Sequence, residues 1–178
     1  MIDGTREQRL LEHTKNGCRD AFAQLIEPYI KSLFSYILFR VKNNPDANDI
    51  VQETMLSIWQ SIGSYKSQSS FKTWIFSIAR RRITDYYRKN SKHISLPLAN
   101  YKNVCAVNGD FDALINRIYL NDALLHLTDN ENELVYLIFQ AQLSYSEISS
   151  VLGIPVGTVK SRMSGIKSKL KSLLRQEG

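Results

Sequence analysis

The chain is short of the residues that build metal centres, disulfide frameworks and membrane spans. Its two cysteines, Cys18 and Cys105, stand far apart and in no metal-ligand spacing, so they read as reduced intracellular thiols. His13, His93 and His126 are equally scattered, and no glycine-rich phosphate loop occurs. The acids Asp46 and Asp49 share a helix face but have no basic or metal-binding partner nearby in sequence. No constellation of acid, base and nucleophile emerges, so the sequence offers no catalytic residue and calls for no metal or cofactor. A long apolar run is also missing, and the first residues, MIDGTREQRL, are polar. This points to a soluble, cytoplasmic protein with no cleaved leader. Glycine (8) and proline (4) are sparse, and apolar residues recur at helical spacing through most of the chain. The expected fold is therefore all-α.

What the chain does have is clustered positive charge. The formal net charge is +6 and the pI about 9.3, which favours a polyanionic partner. Arg80, Arg81, Arg82, Arg88, Lys89 and Lys92 crowd one segment against the single acid Asp85, and the C-terminal stretch holds a second cluster. Two basic elements imply two nucleic-acid contacts, each adding to affinity through counterion release.

The C-terminal cluster lies within Leu143–Leu174, which reads as a short helix, a tight turn and a longer basic helix. Ser144 and Glu147 have capping-box spacing, Gly153 supplies the turn, and Pro155 suits the first turn of the next helix. Val156, Val159, Met163, Ile166, Leu170 and Leu173 form one apolar stripe. Lys160, Ser161, Arg162, Ser164 and Lys167 lie off it, with Lys160, Ser164 and Lys167 on the opposite face. Such a helix fits the DNA major groove. Ser149 takes a slot where such motifs more often carry alanine.

Upstream, Thr5–Lys15 reads as a weak helix, and Asp20–Val41 as a longer one that Pro28 kinks or interrupts. Asp46–Ile62 follows, with Ile50, Val51, Thr54, Met55, Ile58, Trp59 and Ile62 inward and Asp49, Gln52, Glu53, Leu56 and Gln60 outward. A leucine among acids and amides is either a lone exposed apolar residue or part of a docking surface for a partner with a basic groove. A polar loop, Gly63–Ser70, precedes the helix Phe71–Asn90. Its expected core stripe is Phe71, Ile75, Ile78, Ala79, Ile83 and Tyr86; Arg80, Thr84 and Arg88 share another face beside Arg81. Asp85 is placed to pair with Arg81, Arg88 or Lys89. Its aromatics, Trp74 and Phe76 among them, alternate with cations. That is the pattern of a core, and also what single-stranded nucleic acid requires. Ser91–Asp110 loses all periodicity and reads as a flexible linker between two small helical domains, 1–90 and 111–178. In the second, Phe111–Leu127 and Glu131–Gln142, the latter opened by Thr128 and Glu131 at capping-box spacing, form a scaffold for the helix–turn–helix. Its apolar positions are Leu114, Ile118, Leu124, Leu127, Leu134, Leu137 and Ile138.

DANDIVQETMLSIWQSIGSY followed by FKTWIFSIARRRITDYYRK, and then LSYSEISSVLGIPVGTVKSRMSGIKSKL, resemble the sigma factors of bacterial RNA polymerase. The likeness is to the small ECF (extracytoplasmic function) group of the sigma-70 family and covers about residues 15–90 and 112–175. It implies a promoter-specificity subunit that binds core polymerase and recognises the −10 and −35 promoter elements. It implies, too, that the subunit melts the −10 DNA to start transcription. Asp49, Gln52, Glu53 and Leu56 match the family surface that docks on the polymerase clamp helices. Tyr65 to Lys72, with Lys66 and Phe71, match the loop that captures a flipped base of the −10 element. Phe71 to Arg88, with Trp74, Arg80, Arg81 and Thr84, match the helix that reads and melts it. Thr158, Lys160, Ser161, Arg162, Ser164 and Lys167 match the helix that reads the −35 element. An anti-sigma factor is a further partner that the resemblance implies. One position departs: Arg81 stands where similar proteins usually carry asparagine. Arginine is donor-only and cannot reproduce an amide's pairing with a base, so the −10 preference of relatives does not transfer.

The alternative reading is a helix–turn–helix regulator that binds duplex operators without polymerase. It accounts for Leu143–Leu174 but leaves the loop, the aromatic–cation helix and the acid-ringed Leu56 unexplained.

Overall fold

The computed structural model describes residues 4–90 and 125–176, with side chains described as far as residue 173. Every regular element among these residues is helical: α1 (Gly4–Lys15), α2 (Arg19–Val41), α3 (Asn44–Ser61), a single 3₁₀ turn (Ile62–Ser64), α4 (Phe71–Asn90), α5 (Asp129–Phe139), α6 (Tyr145–Leu152) and α7 (Val156–Gln176). They fall into two compact units. One holds α1 to α4; the other holds α5, α7 and residues Tyr145–Ser149 of α6. The expected linker 91–110 and most of the expected helix Phe111–Leu127, with Leu114, Ile118 and Leu124, lie outside the described residues.

In the first unit α2 is the central element, packed against α1, α3 and α4. Its buried residues Leu25, Ile26, Leu33, Tyr36 and Ile37 meet Ile50 and Ile58 of α3 and Ile75, Phe76 and Ala79 of α4. Aromatic edges close the seams: Phe22 against Trp59 at 5.2 Å and Tyr36 against Phe76 at 5.4 Å between ring centroids. Pro28 does not interrupt α2, which runs through it. Pro28 and Gln24, whose carbonyl it frees, both lie on the exposed side of the helix, where a lost backbone bond is least costly. Nor is α1 a weak helix. It spans 12 residues, buries Leu11 and Thr14, and is tied to α2 by the Tyr29 hydroxyl, which donates to Glu7 Oε2 at 2.9 Å.

Helix α3 starts two residues earlier than the acid-rich pattern indicated. Asn43 is its cap, accepting the Asp46 N–H at 3.1 Å, and Pro45 sits in the first turn. The inward set is close to expectation: Ile50, Thr54, Ile58 and Ile62 are buried, while Val51, Met55 and Trp59 are half-buried. Helix α4 has the expected bounds. Its stripe differs, because Thr73 and Phe76 are buried and Ile78 and Tyr86 are half-buried. Two layers, α2 and α3, clamp α4, so a single narrow stripe is not enough.

In the second unit α5 packs along α7. The Thr128–Glu131 capping box is formed in both directions: Thr128 Oγ1 accepts the Glu131 N–H at 3.3 Å, and Glu131 Oε2 accepts the Thr128 N–H at 2.8 Å. The helix ends at Phe139 rather than Gln142. Gln142 takes a φ of 53°, and the N–H groups of Ala141 and Leu143 fold back on the carbonyls of Tyr136 and Leu137. Leu127, Leu134 and Leu137 are buried as expected, with Ile138 half-buried.

Candidate nucleic-acid and partner interfaces

Three surfaces carry the residues singled out above. The first is the outer face of α3. Asp49, Gln52, Glu53 and Leu56 are all exposed, opposite the buried Ile50, Thr54 and Ile58. Leu56 is 56% exposed, one of only a few large apolar side chains in the open among the described residues. Carboxylates beside an apolar knob suit a partner that offers cations around a hydrophobic cleft.

The second surface is the loop 65–70 and the outer side of α4. Ser70 caps α4, accepting the Thr73 N–H at 3.2 Å, and its carbonyl takes the Trp74 N–H at 3.0 Å. Tyr65 is buried under the loop, 5.7 Å from Phe71 and 5.0 Å from Trp74, and Tyr29 closes on Phe71 at 5.7 Å. The Tyr65 hydroxyl donates to the Ser69 carbonyl at 2.6 Å, and Lys15 Nζ donates to the Tyr65 carbonyl at 2.9 Å. Burial pushes the Tyr65 phenol above its ordinary pKa, so it remains a donor further into the alkaline range. Lys66, Ser67 and Gln68 are left exposed, with Ser67 at a φ of 56°.

Along α4, Arg81, Thr84, Arg88 and Lys89 are exposed, and Lys72, Trp74 and Arg80 are half-buried. Arg82 turns the other way: its Nε donates to Ser57 Oγ of α3 at 2.8 Å. Asp85 pairs with Arg88 at 3.1 Å and Arg82 at 3.7 Å, not with Arg81 or Lys89. The Arg88 side chain is 78% exposed, so that pair contributes little to stability and leaves the cation available to phosphate. The helix is pinned at its far end by Tyr86, whose hydroxyl donates to Asp46 Oδ2 at 2.7 Å, and by Tyr87, which donates to the Arg40 carbonyl.

The third surface is α7. The Ser144–Glu147 capping box forms at 3.3 and 2.9 Å and opens α6. Gly153 takes the turn at a φ of 66°. Ser149 grips that turn twice: its carbonyl accepts the Ile154 N–H at 3.2 Å, and its hydroxyl donates to the Ile154 carbonyl at 2.6 Å. Pro155 lies one position before α7, where its carbonyl accepts the Thr158 and Val159 N–H groups. Val159, Met163 and Ile166 are buried against the unit, with Val156, Leu170 and Leu173 half-buried. Lys160, Ser161, Ser164 and Lys167 point outward and Thr158 is half-buried. A basic, hydroxyl-bearing helix face backed by a packed one can enter a major groove and meet phosphates and base edges.

Comparison with known proteins agrees with this division. The sigma-70 region 2 family model matches residues 25–93, and the sigma-70 region 4 model matches residues 117–170. The chain is 28% identical to the ECF RNA polymerase sigma factor SigW of Bacillus subtilis, over 94% of this chain and 96% of that protein. It is also 28% identical to ECF RNA polymerase sigma factor EcfG of Rhodopseudomonas palustris, over 84% of this chain and 82% of that one. The chain belongs to the ECF group of the sigma-70 family. The fold agrees: the structure of CnrH in complex with the cytosolic domain of CnrY aligns over 97% of this chain and 99% of that one, at a TM-score of 0.68 and 21% identity. The sigma factor RpoE of Bartonella quintana, solved with the anti-sigma factor NepR, aligns over 86% of this chain and 96% of that one, at a TM-score of 0.65 and 24% identity.

Within region 2 the expected −10 set divides. Lys66, Arg81, Thr84 and Arg88 are exposed and Lys72, Trp74 and Arg80 partly so, but Tyr65 is 6% and Phe71 1% exposed. These two rings lie in the core, holding the loop and the start of α4, because a loop of small polar residues has no other apolar side chain to bury. Trp74, half-buried, is the ring of α4 in this cluster that reaches the surface. In region 4, Arg162 does not share the face of Lys160, Ser164 and Lys167. It borders an open cleft of about 340 Å³ with Thr128, Glu131 and Gly165, beside α5. The sequence reading missed Lys15 and Ser57, whose partners lie 50 and 25 residues away. The Asn43 and Ser70 caps were findable, as Asn before an Asn-Pro start and Ser three residues ahead of Thr73.

Proposed function

We propose that this chain is a dissociable specificity subunit of bacterial RNA polymerase that directs the core enzyme to promoters. In this reading residues 1–90 bind core polymerase and the −10 element, 91–110 link the halves, and 111–178 bind the −35 element. The observation that carries it is the pairing, in one region 2 unit, of the Leu56 face on α3 with the loop and arginine face of α4. An operator-binding regulator needs neither, whereas a subunit that delivers polymerase to DNA needs both.

The chain's own residues then act by binding alone, with no bond-making chemistry. Asp49, Gln52, Glu53 and Leu56 dock on the core enzyme. Arg81, Thr84, Arg88 and Lys72 track the non-template strand while the loop at Lys66–Gln68 receives an unstacked base beside Trp74. Extruding a base costs a few kcal/mol of stacking and pairing, which contacts made only to the open strand offset. Lys160, Ser164 and Lys167 set the register on the −35 duplex. Among the described residues no helix is long and apolar enough to cross a membrane; the proposed place of action is the cytoplasm, with the polymerase and its template. An anti-sigma factor, as an inhibitory partner, belongs to the same proposal.

The test is in vitro transcription with purified protein, bacterial core polymerase and fragmented genomic DNA, with transcripts sequenced. Discrete start sites absent with core alone are the expected result. No specific starts, together with tight duplex binding by the chain alone, would establish the operator-binding regulator instead.

A further inference from the structure

Helix α1 is not part of either recognition surface, yet it reaches the loop of region 2 by two routes. Lys15, in its last turn, donates from Nζ to the Tyr65 carbonyl at 2.9 Å, and the ammonium lies 5.9 Å from the centre of the Tyr65 ring. At its other end Glu7 accepts the Tyr29 hydroxyl at 2.9 Å, and Tyr29 stacks edge-on against Phe71 at 5.7 Å. Tyr65 and Phe71 are the two ends of the loop. The loop is also held locally, by the Tyr65 hydroxyl on the Ser69 carbonyl, Ser70 on Thr73, the Tyr65 N–H on the Ile62 carbonyl and both rings against Trp74. From these contacts we infer that α1 is a positioning strut for the base-receiving loop, and that Lys15 is the residue through which it acts.

The physical argument is preorganisation. The loop sequence YKSQSS has no apolar side chain other than the Tyr65 ring to bury, and Lys66, Ser67 and Gln68 stand in solvent. Left to itself such a segment samples many conformations, and ordering it on a strand would weaken binding. A charge-assisted bond to a main-chain carbonyl fixes the backbone at the loop's entrance without using any group that a base would need. Lys15 is itself exposed, so it can be replaced without opening the core. It touches no nucleic acid in this scheme; it acts through Tyr65.

This inference rests on the proposed function, and its test separates the two. Full-length chain, as wild type, Lys15→Met and Lys15→Arg, is assembled with core polymerase. Each complex is titrated with a single-stranded oligonucleotide carrying the non-template −10 sequence of a promoter mapped by the transcription assay. Each base of that sequence is then varied in turn. Lys15→Met is expected to bind the strand about tenfold more weakly, the scale of one charge-assisted hydrogen bond. It is also expected to narrow discrimination at the flipped position, with core affinity and −35 duplex affinity unchanged. Lys15→Arg, which keeps a donor and a charge, is expected to recover most of both. Wild-type strand affinity and discrimination in Lys15→Met would overturn the inference and leave the sigma factor reading intact. A parallel loss of core affinity and thermal stability in Lys15→Met would make Lys15 a structural residue and overturn it as well. A wild-type complex that shows no base selectivity on any strand would overturn both.

Discussion

Regions 2 and 4 hold themselves together by different means. Region 2 has its own local caps and turns, but to these it adds side-chain bonds that join distant parts of the chain: Lys15 to Tyr65, Tyr29 to Glu7, Tyr86 to Asp46, Arg82 to Ser57. In region 4 most are local. Two capping boxes close within three residues and Ser149 bonds Ile154 within five, while Lys169 to Glu131 at 3.2 Å is a long-range pair among the described residues. The contrast follows from what each unit has to hold. In the proposed reading, a single recognition helix presents its outward residues to the groove correctly once the turn before it is set. A loop and a helix that must act together, beside a docking face on a third element, need cross-links between elements. The cost is that region 2 commits aromatics and charges to itself, whereas Lys160 and Lys167 of region 4 stand exposed.

Breaking the outward surface of each unit should therefore give different signatures. The largest effect is expected from Leu56→Ala combined with Glu53→Ala. Removing an apolar anchor and an adjacent charge from an interface centre costs about 1–3 kcal/mol, or about fivefold to a hundredfold in core affinity. Fluorescence titration of labelled chain with core polymerase measures it. Helicity should not change, since both side chains are exposed; wild-type core affinity would rule out α3 as the docking face. Lys160→Ala with Lys167→Ala should act on DNA alone. If each lysine neutralises one phosphate, the slope of log K against log salt for promoter binding by the assembled complex falls by about 2. An unchanged slope would take this face of α7 off the backbone. Smaller still is Ser149→Ala. It removes the hydroxyl bond to Ile154 but keeps the backbone one, so urea denaturation should register a loss of about 1 kcal/mol. No loss would mean that Gly153 and the Ile154 N–H suffice to set the turn.

The same contrast decides how much could be read from the sequence. Both capping boxes, the Gly153 turn, the stripe through Val159, Met163 and Ile166 and the outward lysines were legible, because each is encoded within a few residues. The bounds of α4 and the outward face of α3 were legible for the same reason. What failed were features whose cause lies far along the chain. Tyr65 looks like a strand-binding aromatic beside cations, and Phe71, which its spacing places in the core stripe, has that role only through the resemblance; both are buried, with Lys15 of α1 on the Tyr65 carbonyl and Tyr29 of α2 against Phe71. Phe76 looked like one more interleaved ring, yet it is enclosed by Tyr36 of α2. Helix α1 looked weak because its stability comes from packing on α2 rather than from its own composition. The early end of α5 was hidden as well, since nothing about Gln142 marks it as a residue that will adopt a positive φ.

The finest contrast is in pH dependence, where each unit has a sensitive limb of opposite sign. In region 4 the Glu131 carboxylate accepts the Thr128 backbone N–H and then Lys169, and these bonds hold its pKa below the ordinary carboxylate value. A depressed folded pKa contributes stability above the unfolded pKa and loses it as pH falls through the folded one, so this limb is acidic. In region 2 burial, followed by the hydrogen bond to Asp46, raises the Tyr86 phenol from 10.0 to about 12. Here the native state holds its proton longer than the unfolded chain. The contribution is complete below the ordinary phenol pKa and declines between that value and the raised one, so this limb is alkaline. Glu131→Gln should flatten the acid limb; Tyr86→Phe should reduce the alkaline limb, to which the raised phenols of Tyr29 and Tyr65 also contribute, each leaving the other limb in place. Trp59 and Trp74, the chain's two tryptophans, both lie in region 2. The Glu131→Gln change should therefore appear in far-ultraviolet circular dichroism and leave the tryptophan emission transition where it was. A matching shift in tryptophan emission would show that the capping box of α5 stabilises region 2 as well, and the division into a locally held and a distantly held unit would fall.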